Sequence, residues 1–406
     1  MKKAARLMGG FFVPLRNFFS KLNVEKSIDK NKAGGNDMTI IGDWVRFGLL
    51  GCSLLVAAPA LAQSGDPFYK GKRVSLLVNF GAGSATDIDA RVFAKHFGKH
   101  LGGEPALVVQ NMEGAGGNAG AIFLGELAPK DGTTIGFLTA TAWNYASRPE
   151  SFRLDFRKYE FPGYSGGSAV YYVRTDTPPG MRRPEDILKA QSLVSGGVAA
   201  HSGRDISIRL TLDILRVPFR HVTGYSSGGR ARLALQGNEI HLYSDTVSGY
   251  KGAVEPTLFK DGTIIPLYYD PLWDGAQFET DAAVKDIPAL PFQEFYKSVN
   301  GGQLPSGIMW ESYLALVTLN GTMQRIIALP PGAPPAAVSA IREALKKMNA
   351  DKEYAAEAVR AFGYVPVFYA EADTSDKVRK ALTVSPEIRK FVAEYIEKAS
   401  ASPEKK

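Results

Sequence analysis

Residues 73–87 read Arg73-Val74-Ser75-Leu76-Leu77-Val78 and then Asn79-Phe80-Gly81-Ala82-Gly83-Ser84-Ala85-Thr86-Asp87. The first part is a compact apolar run of the kind that a buried parallel strand carries. The second is a turn of small residues in which Ser84 or Thr86 supplies a helix N-cap. Ile88, Val92, Phe97 and Leu101 then fall near one stripe of a helix. The pattern repeats at once. Ala106-Leu107-Val108-Val109 reads as a strand, Asn111-Met112-Glu113-Gly114-Ala115-Gly116-Gly117-Asn118 as a second glycine-rich turn, and Ala119 to Ala128 as a helix. After Pro129-Lys130-Asp131-Gly132 comes a third strand, Thr134 to Thr139. Strand and helix alternating at this pitch predict an α/β fold whose parallel sheet is covered on both faces.

Downstream, strands are expected at 169–173, around 219–222, at 240–243 and at 264–268. Helices are expected after Arg183-Pro184-Glu185-Asp186, over 205–215 and over 231–235. Residues 271–308 mix proline, glycine and charge and give no clear pattern. Strands are expected again near 313–319 and 325–329, then helices from Pro334-Pro335 to Met348 and from Ser385-Pro386-Glu387 to Ala399.

Composition narrows the function. The chain has 406 residues, 45% hydrophobic and 22% charged, which excludes disorder and repeat fibres and suits about two domains. Its net charge of +7 is uneven: residues 1–62 carry nine bases and four acids, leaving only +2 for the rest. Nucleic-acid binding through a basic face is therefore not expected. Phe47 to Ala62 reads FGLLGCSLLVAAPALA after Arg46, a signal-peptide core too short for a comfortable membrane span, with cleavage expected after Ala62. Met38 stands where a signal of ordinary length would start. Leu49-Leu50-Gly51-Cys52 has the shape of a lipoprotein box, but the apolar stretch runs on past the cysteine, so Cys52 reads as part of the signal core. The processed chain would then hold no cysteine, and so no disulfide or thiolate site.

The paired turns carry the chemistry. Each follows a strand and opens a helix, so each presents backbone N–H groups at a positive helix end, at the sheet edge where open α/β folds bind ligands. Side by side they make an anion receptor that needs no basic side chain. Gly81-Ala82-Gly83 begins a dinucleotide-like fingerprint, but Thr86 stands where its third glycine belongs and Gln110-Asn111 where a ribose-binding acid belongs. No cofactor is expected. Gly163-Tyr164-Ser165-Gly166-Gly167 matches the G-x-S-x-G string of an exported hydrolase, yet that mechanism needs a strand before the serine and a helix after it, and the segment reads as a flexible crossing between domains. His96 and His100 have metal-ligand spacing, but Lys95 and Lys99 flank them and no nearby carboxylate completes a site, so they read as a solvated face and no metal is expected. His221 and His241 read as structural. His201, in the turn Ala199-Ala200-His201-Ser202-Gly203, is placed to meet a ligand.

Val74 to Asp87, Asn111 to Gly120 and Pro129 to Gly132 together resemble the extracytoplasmic solute receptors of tripartite tricarboxylate transporters, the Bug family. Those receptors read V-P-F-P-x-G-G-x-T-D and N-x-P-G-A-G-G-x-x-G at the two turns. The likeness continues through His221 to Gly229, Leu235 to Ile240, Asp286-Ile287-Pro288 and Ala328 to Gly332. It implies a two-lobed periplasmic binding protein, type II-like, with two parallel or mixed sheets and a cleft between lobes. Residues 1–62 would be extension and signal, 67–168 the first lobe, 169–268 the second, and 269–406 the return to the first. By the resemblance Phe80, Gly83, Ser84, Ala85, Thr86 and Asp87 would shape half of the pocket, and Gly114, Ala115, Gly116, Gly117 and Asn118 the other half. His201, Ser202, Gly203 and Asp245 would close it from the opposite lobe. The implied ligand is a small organic acid and the implied partners are integral-membrane transporter subunits, with the receptor itself a monomer. An exported α/β hydrolase using Ser165 and a sensory receptor built on the same lobes are the alternatives. Asn79, Gly81, Ser84, Ala85 and Glu113 depart from the family wording, and an ionised Glu113 near a bound carboxylate would repel it.

Overall fold

The computed structural model describes residues 67–401 apart from Ser226. The expected signal core at 47–62, cleavage after Ala62, Cys52 and the start at Met38 lie outside the described residues.

In chain order the strands are β1 (Arg73–Val78), β2 (Ala106–Asn111), β3 (Thr134–Leu138), β4 (Glu160–Ser165), β5 (Ala169–Arg174), β6 (Leu193–Gly196) and β7 (Phe219–Val222). They continue with β8 (Leu242–Thr246), β9 (Ile264–Tyr269), β10 (Leu272–Trp273), β11 (Phe278–Glu279), β12 (Leu290–Pro291), β13 (Arg325–Leu329) and β14 (Phe368–Tyr369). Two mixed sheets result, ordered β14-β4-β13-β3-β1-β2 and β12-β9-β5-β8-β6-β7. Within the first, β1 runs parallel to β2 and β3, while β13 lies antiparallel to β3 and β4. Within the second, β6 runs parallel to β7 and β8, and β5 lies antiparallel to β8 and β9. Each lobe is therefore a parallel βαβ core closed by antiparallel strands.

The helices that matter for the site are α1 (Ala85–His100), α2 (Asn118–Glu126), α3 (Thr141–Ser147), α4 (Gly203–Ile214) and α5 (Gly228–Gln236). Strand β1 is buried on both faces: Val74, Leu76 and Val78 pack with Phe93 and Phe97 of α1, whereas Leu77 joins Ala121 and Leu124 of α2 on the other side. That two-sided burial is why its sequence is a continuous apolar run and not an alternation.

Several elements differ from the sequence expectation. The expected strand near 313–319 is a helix, Ile308–Val317, running into a π-helical turn at Thr318–Thr322. Trp310, Tyr313, Leu316 and Val317 are all buried, and an apolar run buried in this way has no period that separates helix from strand. The segment Gly163 to Gly167, expected as a flexible crossing, begins within the strand Glu160–Ser165, which is paired on both sides by β13 and β14. Residues 290–317, assigned by the expected division to the first lobe, join the second: β12 pairs β9, and Tyr313 bonds Asp270 at the end of β9. The C-terminal helix Pro386–Ala401 also reaches this lobe, where Tyr395 bonds Asp213 and stacks beneath Arg209 at 5.1 Å. His96 and His100 do not lie on a solvated face. His96 is 4% exposed, and acids from residues 351–357 meet both rings.

Candidate functional site

The two glycine-rich turns lie against each other, and Asn79 binds them. This fully buried side chain sits at the end of β1. Its Nδ2 lies 3.0 Å from the Gly117 carbonyl, 2.9 Å from that of Thr139 and 3.0 Å from Thr141 Oγ1, and its Oδ1 accepts from the Thr139 amide at 3.1 Å. One residue thus joins the carboxyl ends of β1 and β3 to the second turn. Asn111 makes the reciprocal link, donating to the Phe80 carbonyl at 2.8 Å and to Asp87 Oδ1 at 2.9 Å.

In the first turn Ser84 caps α1, its Oγ accepting from the Asp87 amide at 3.2 Å, while Asp87 Oδ2 accepts from the Gly83 amide at 2.8 Å. Burial works against ionisation of Asp87, but bonds from Arg91, the Gly83 amide and Asn111 bring its carboxyl down to about 2. The amides of Gly83 and Asp87 are therefore spent on the protein itself, the latter on Ser84, one of the two residues expected as N-cap. Those of Ala85 and Thr86 find no acceptor among the described residues.

The second turn holds Gly114, Ala115, Gly116 and Gly117 at φ of 133°, 49°, 65° and 96°. Glycine tolerates this region and alanine resists it by about 1–2 kcal/mol, so Ala115 is held there by its surroundings. Asn144 supplies part of the hold, donating to the Gly116 carbonyl at 3.0 Å and to Asn118 Oδ1 at 2.9 Å. The amides of Ala115 and Gly116 have no acceptor among the described residues. Glu113 leans back over the first turn: a side-chain carbon placed on Gly81 would fall 2.2 Å from Glu113 Oε2. A carboxylate thus already stands beside both turns.

The second lobe repeats the design. Ser202 caps α4 with its Oγ 3.2 Å from the Asp205 amide, and Asp205 Oδ1 accepts from the Val198 amide at 3.1 Å. His221, at the end of β7, sits 3.3 Å from Asp205 Oδ2 and 2.9 Å from Ser195 Oγ, the place Asn111 takes in the first lobe. Ser-x-x-Asp therefore opens both α1 and α4. Asp245 is 3% exposed and engaged by Tyr172 at 2.8 Å and Arg232 at 2.9 Å. It holds other groups in place and offers no free oxygen. Arg204, in the first turn of α4, lies 3.3 Å from the Ser244 carbonyl and 3.7 Å from Asp245. Burial disfavours its charge, yet Tyr243 and Asp245 keep its pKa above the ordinary value. His201, three residues before Arg204, is exposed.

Both helix starts converge on one segment, 318–325. Asp89 of α1 pairs with Arg325, whose Nη1 is also 2.6 Å from Thr139 Oγ1. At the other lobe, a side-chain carbon on Gly203 would fall 1.9 Å from Asn320 Nδ2. The sequence pointed to the turn residues but missed the side chains that set them, Asn79, Asn111, Asn144 and Arg204. For Asn79 the signal was available, since it departs from the proline usual in the resembling family.

Ser165 is 2% exposed, the last residue of β4, and β5 follows it, so there is no strand-to-helix elbow at this serine. The cavity it lines, with Asp89, Phe93 and Arg325, has about 10 Å³ of room, enough for about one water.

No family model and no curated protein matches the chain. Solved structures do. A TctC solute-binding protein from Polaromonas aligns at 18% identity and TM-score 0.57, over 81% of this chain and 99% of its own. A Rhodopseudomonas palustris protein solved with adipate aligns at 17% identity and TM-score 0.55, over 80% and 97%. The periplasmic binding protein BugD aligns at 17% identity and TM-score 0.54, over 82% and 99%. The fold is that of a periplasmic solute-binding protein. In such a two-lobed fold the paired turns, the start of α4 and the segment 318–325 form one connected region. Among the described residues, no helix is long and apolar enough to cross a membrane.

Proposed function

We propose that this chain is a periplasmic receptor that captures a small carboxylate-bearing solute between its lobes and delivers it to the membrane subunits of a tripartite tricarboxylate-type transporter. The observation that carries this reading is the pair of helix starts whose open amides, at Ala85-Thr86 and Ala115-Gly116, adjoin through Asn79. A carboxylate bound there replaces water at positive helix ends. Phe80, Gly83, Ser84, Asp87, Gly114, Gly117 and Asn118 shape that half of the pocket. Across the cleft, His201, Ser202, Gly203 and Arg204 take the far end of the ligand, with Asp245 positioning Arg204. The adipate bound to one structural neighbour and the malate bound to another, of TM-score 0.50, support a dicarboxylate-sized solute. Micromolar affinity requires about −8 kcal/mol, within reach of a few charge-assisted hydrogen bonds of about 1.5–3 kcal/mol each plus apolar burial.

The test is calorimetric titration of mono-, di- and tricarboxylates into the wild type and Gly116→Asp. Gly116 has φ 65° and its nearest prospective side-chain neighbour, Asn144 Nδ2, is 3.7 Å away. Aspartate is tolerated in that conformation better than most residues. The variant is expected to fold and to lose carboxylate binding at least about tenfold, since its charge enters the cradle. Undiminished affinity would show that the second turn does not touch the ligand.

A further inference from the structure

At the opposite end of α1 from the cradle, His96 and His100 face the start of the helix Lys352–Phe362. Asp351 is the N-cap of that helix. Its Oδ1 accepts from the amides of Glu353 at 2.8 Å and Tyr354 at 3.2 Å, which leaves Oδ2 turned to α1. There Oδ2 lies 2.9 Å from His100 Nε2, 2.7 Å from Lys99 Nζ and 3.8 Å from His96 Nδ1. Glu353 joins the group through Lys99 Nζ at 2.8 Å. One ligand atom each of His96, Asp351 and Glu353 falls within 4.8 Å of the others.

The tautomer of His96 decides what this cluster takes. Its Nε2 lies 2.8 Å from Glu357 Oε2, an acceptor only, so Nε2 carries a proton, and in the neutral ring Nδ1 is the free nitrogen. Nδ1 then carries a lone pair. It is buried, has no hydrogen-bond partner, and points toward Asp351. A buried acceptor without a donor is costly, and a cation relieves it. A ligating histidine whose other nitrogen donates to a carboxylate is also the arrangement that orients and strengthens metal-bound imidazoles.

We infer that His96 Nδ1, His100 Nε2, Asp351 Oδ2 and Glu353 form a zinc-class divalent metal site that clamps the C-terminal end of α1 to the helix Lys352–Phe362. Two imidazoles on successive turns of one helix and two carboxylates on another make an N₂O₂ set, which suits zinc and not calcium or magnesium. Tetrahedral coordination at 2.0–2.2 Å sets donors about 3.3 Å apart, so His96, Asp351 and Glu353, whose ligand atoms lie within 4.8 Å of one another, close by up to about 1.5 Å, and His100 joins them through Asp351 Oδ2, 2.9 Å from its Nε2. The ammonium of Lys99 stands where the ion would sit. Its side chain is 37% exposed and that of Glu353 is 80% exposed, so Lys99 swings into solvent as Glu353 turns inward. The site is separate from the solute cradle and does not depend on it.

The test is titration of zinc chloride into the metal-stripped full-length chain, without a polyhistidine tag, read by calorimetry and thermal melting. One equivalent is expected to bind saturably and to raise the melting temperature by about 3 °C or more. His100→Ala and Glu353→Gln each weaken binding by about tenfold or more, with unchanged circular dichroism. Lys99→Ala tightens it several-fold, because the competing ammonium is gone. Absence of saturable one-to-one uptake, affinity indifferent to His100→Ala, or calcium binding as tightly as zinc would each overturn the site.

Discussion

Asn79 does the work that a proline does in the resembling receptors, by a different means. A proline stiffens the turn through its fixed φ, whereas Asn79 fixes it through bonds to Gly117, Thr139 and Thr141. Removing them strands the buried Gly117 carbonyl and the half-buried carbonyl and amide of Thr139, so Asn79→Ala is expected to cost about 2–4 kcal/mol, seen as a lower urea midpoint. It should also weaken carboxylate binding, because the second turn is then free to drift from the first. Glu113 acts in the opposite sense. Its carboxylate lies over Gly81, at the mouth of the proposed carboxylate cradle. Glu113→Gln is expected to raise affinity for a dicarboxylate roughly fivefold, about 1 kcal/mol, with the gain shrinking as salt is added. The residue is exposed, so stability should not change. Equal affinity of the two proteins at low ionic strength would mean that Glu113 faces away from the bound solute.

At the scale of the element, both lobes start their leading helix with a serine cap and an aspartate three residues on. Ser84→Ala and Ser202→Ala should each cost about 1 kcal/mol of stability. Only if each helix start touches ligand will they also change solute affinity, so measuring both quantities separates a structural cap from a binding one. The first βαβ unit was legible because strand, cap and helix follow one another over consecutive residues, from Arg73 to Leu101, although the inward face of the helix runs through Ala90, Phe93 and Phe97 and leaves the expected Ile88 exposed. What failed to read were features fixed by distant partners. The helix Ile308–Val317 is buried and apolar, so its own pattern is silent. The strand Glu160–Ser165 contains Pro162 and Gly163, yet it pairs with β13 and β14, which arrive more than 150 residues later. His96 and His100 seemed to lack carboxylates because Asp351, Glu353 and Glu357 come from some 250 residues away. In the candidate site the turn residues were visible locally, while Arg204 and Asn320 gained meaning only through contacts across the fold.

At the scale of the whole molecule, the second lobe is drawn together at Asp270. Its Oδ1 accepts from Tyr171 of β5 at 2.9 Å and from Tyr313 of the helix Ile308–Val317 at 2.7 Å, and Tyr171 in turn bonds Ser207 of α4. Burial pushes the Asp270 carboxyl up to about 7, against the smaller opposing effect of the two tyrosines. In the unfolded chain the same group titrates near 4. Between those values the folded protein holds a proton that the unfolded chain has released, so this group makes stability fall as pH rises from about 4 to about 7 and adds no slope beyond. The span corresponds to about 4 kcal/mol at most. Other carboxylates respond the other way: Asp87, held near 2, contributes stability that is lost as pH falls below about 4. The contribution of Asp270 is therefore read as a difference between wild type and Asp270→Asn, which keeps an acceptor for both tyrosines but does not titrate. Urea unfolding at pH 4.5, 6 and 7.5 should show the variant gaining on the wild type at each step. Parallel pH profiles would instead mean that Asp270 is ionised throughout, with Tyr171 and Tyr313 sufficient to carry its charge inside the lobe.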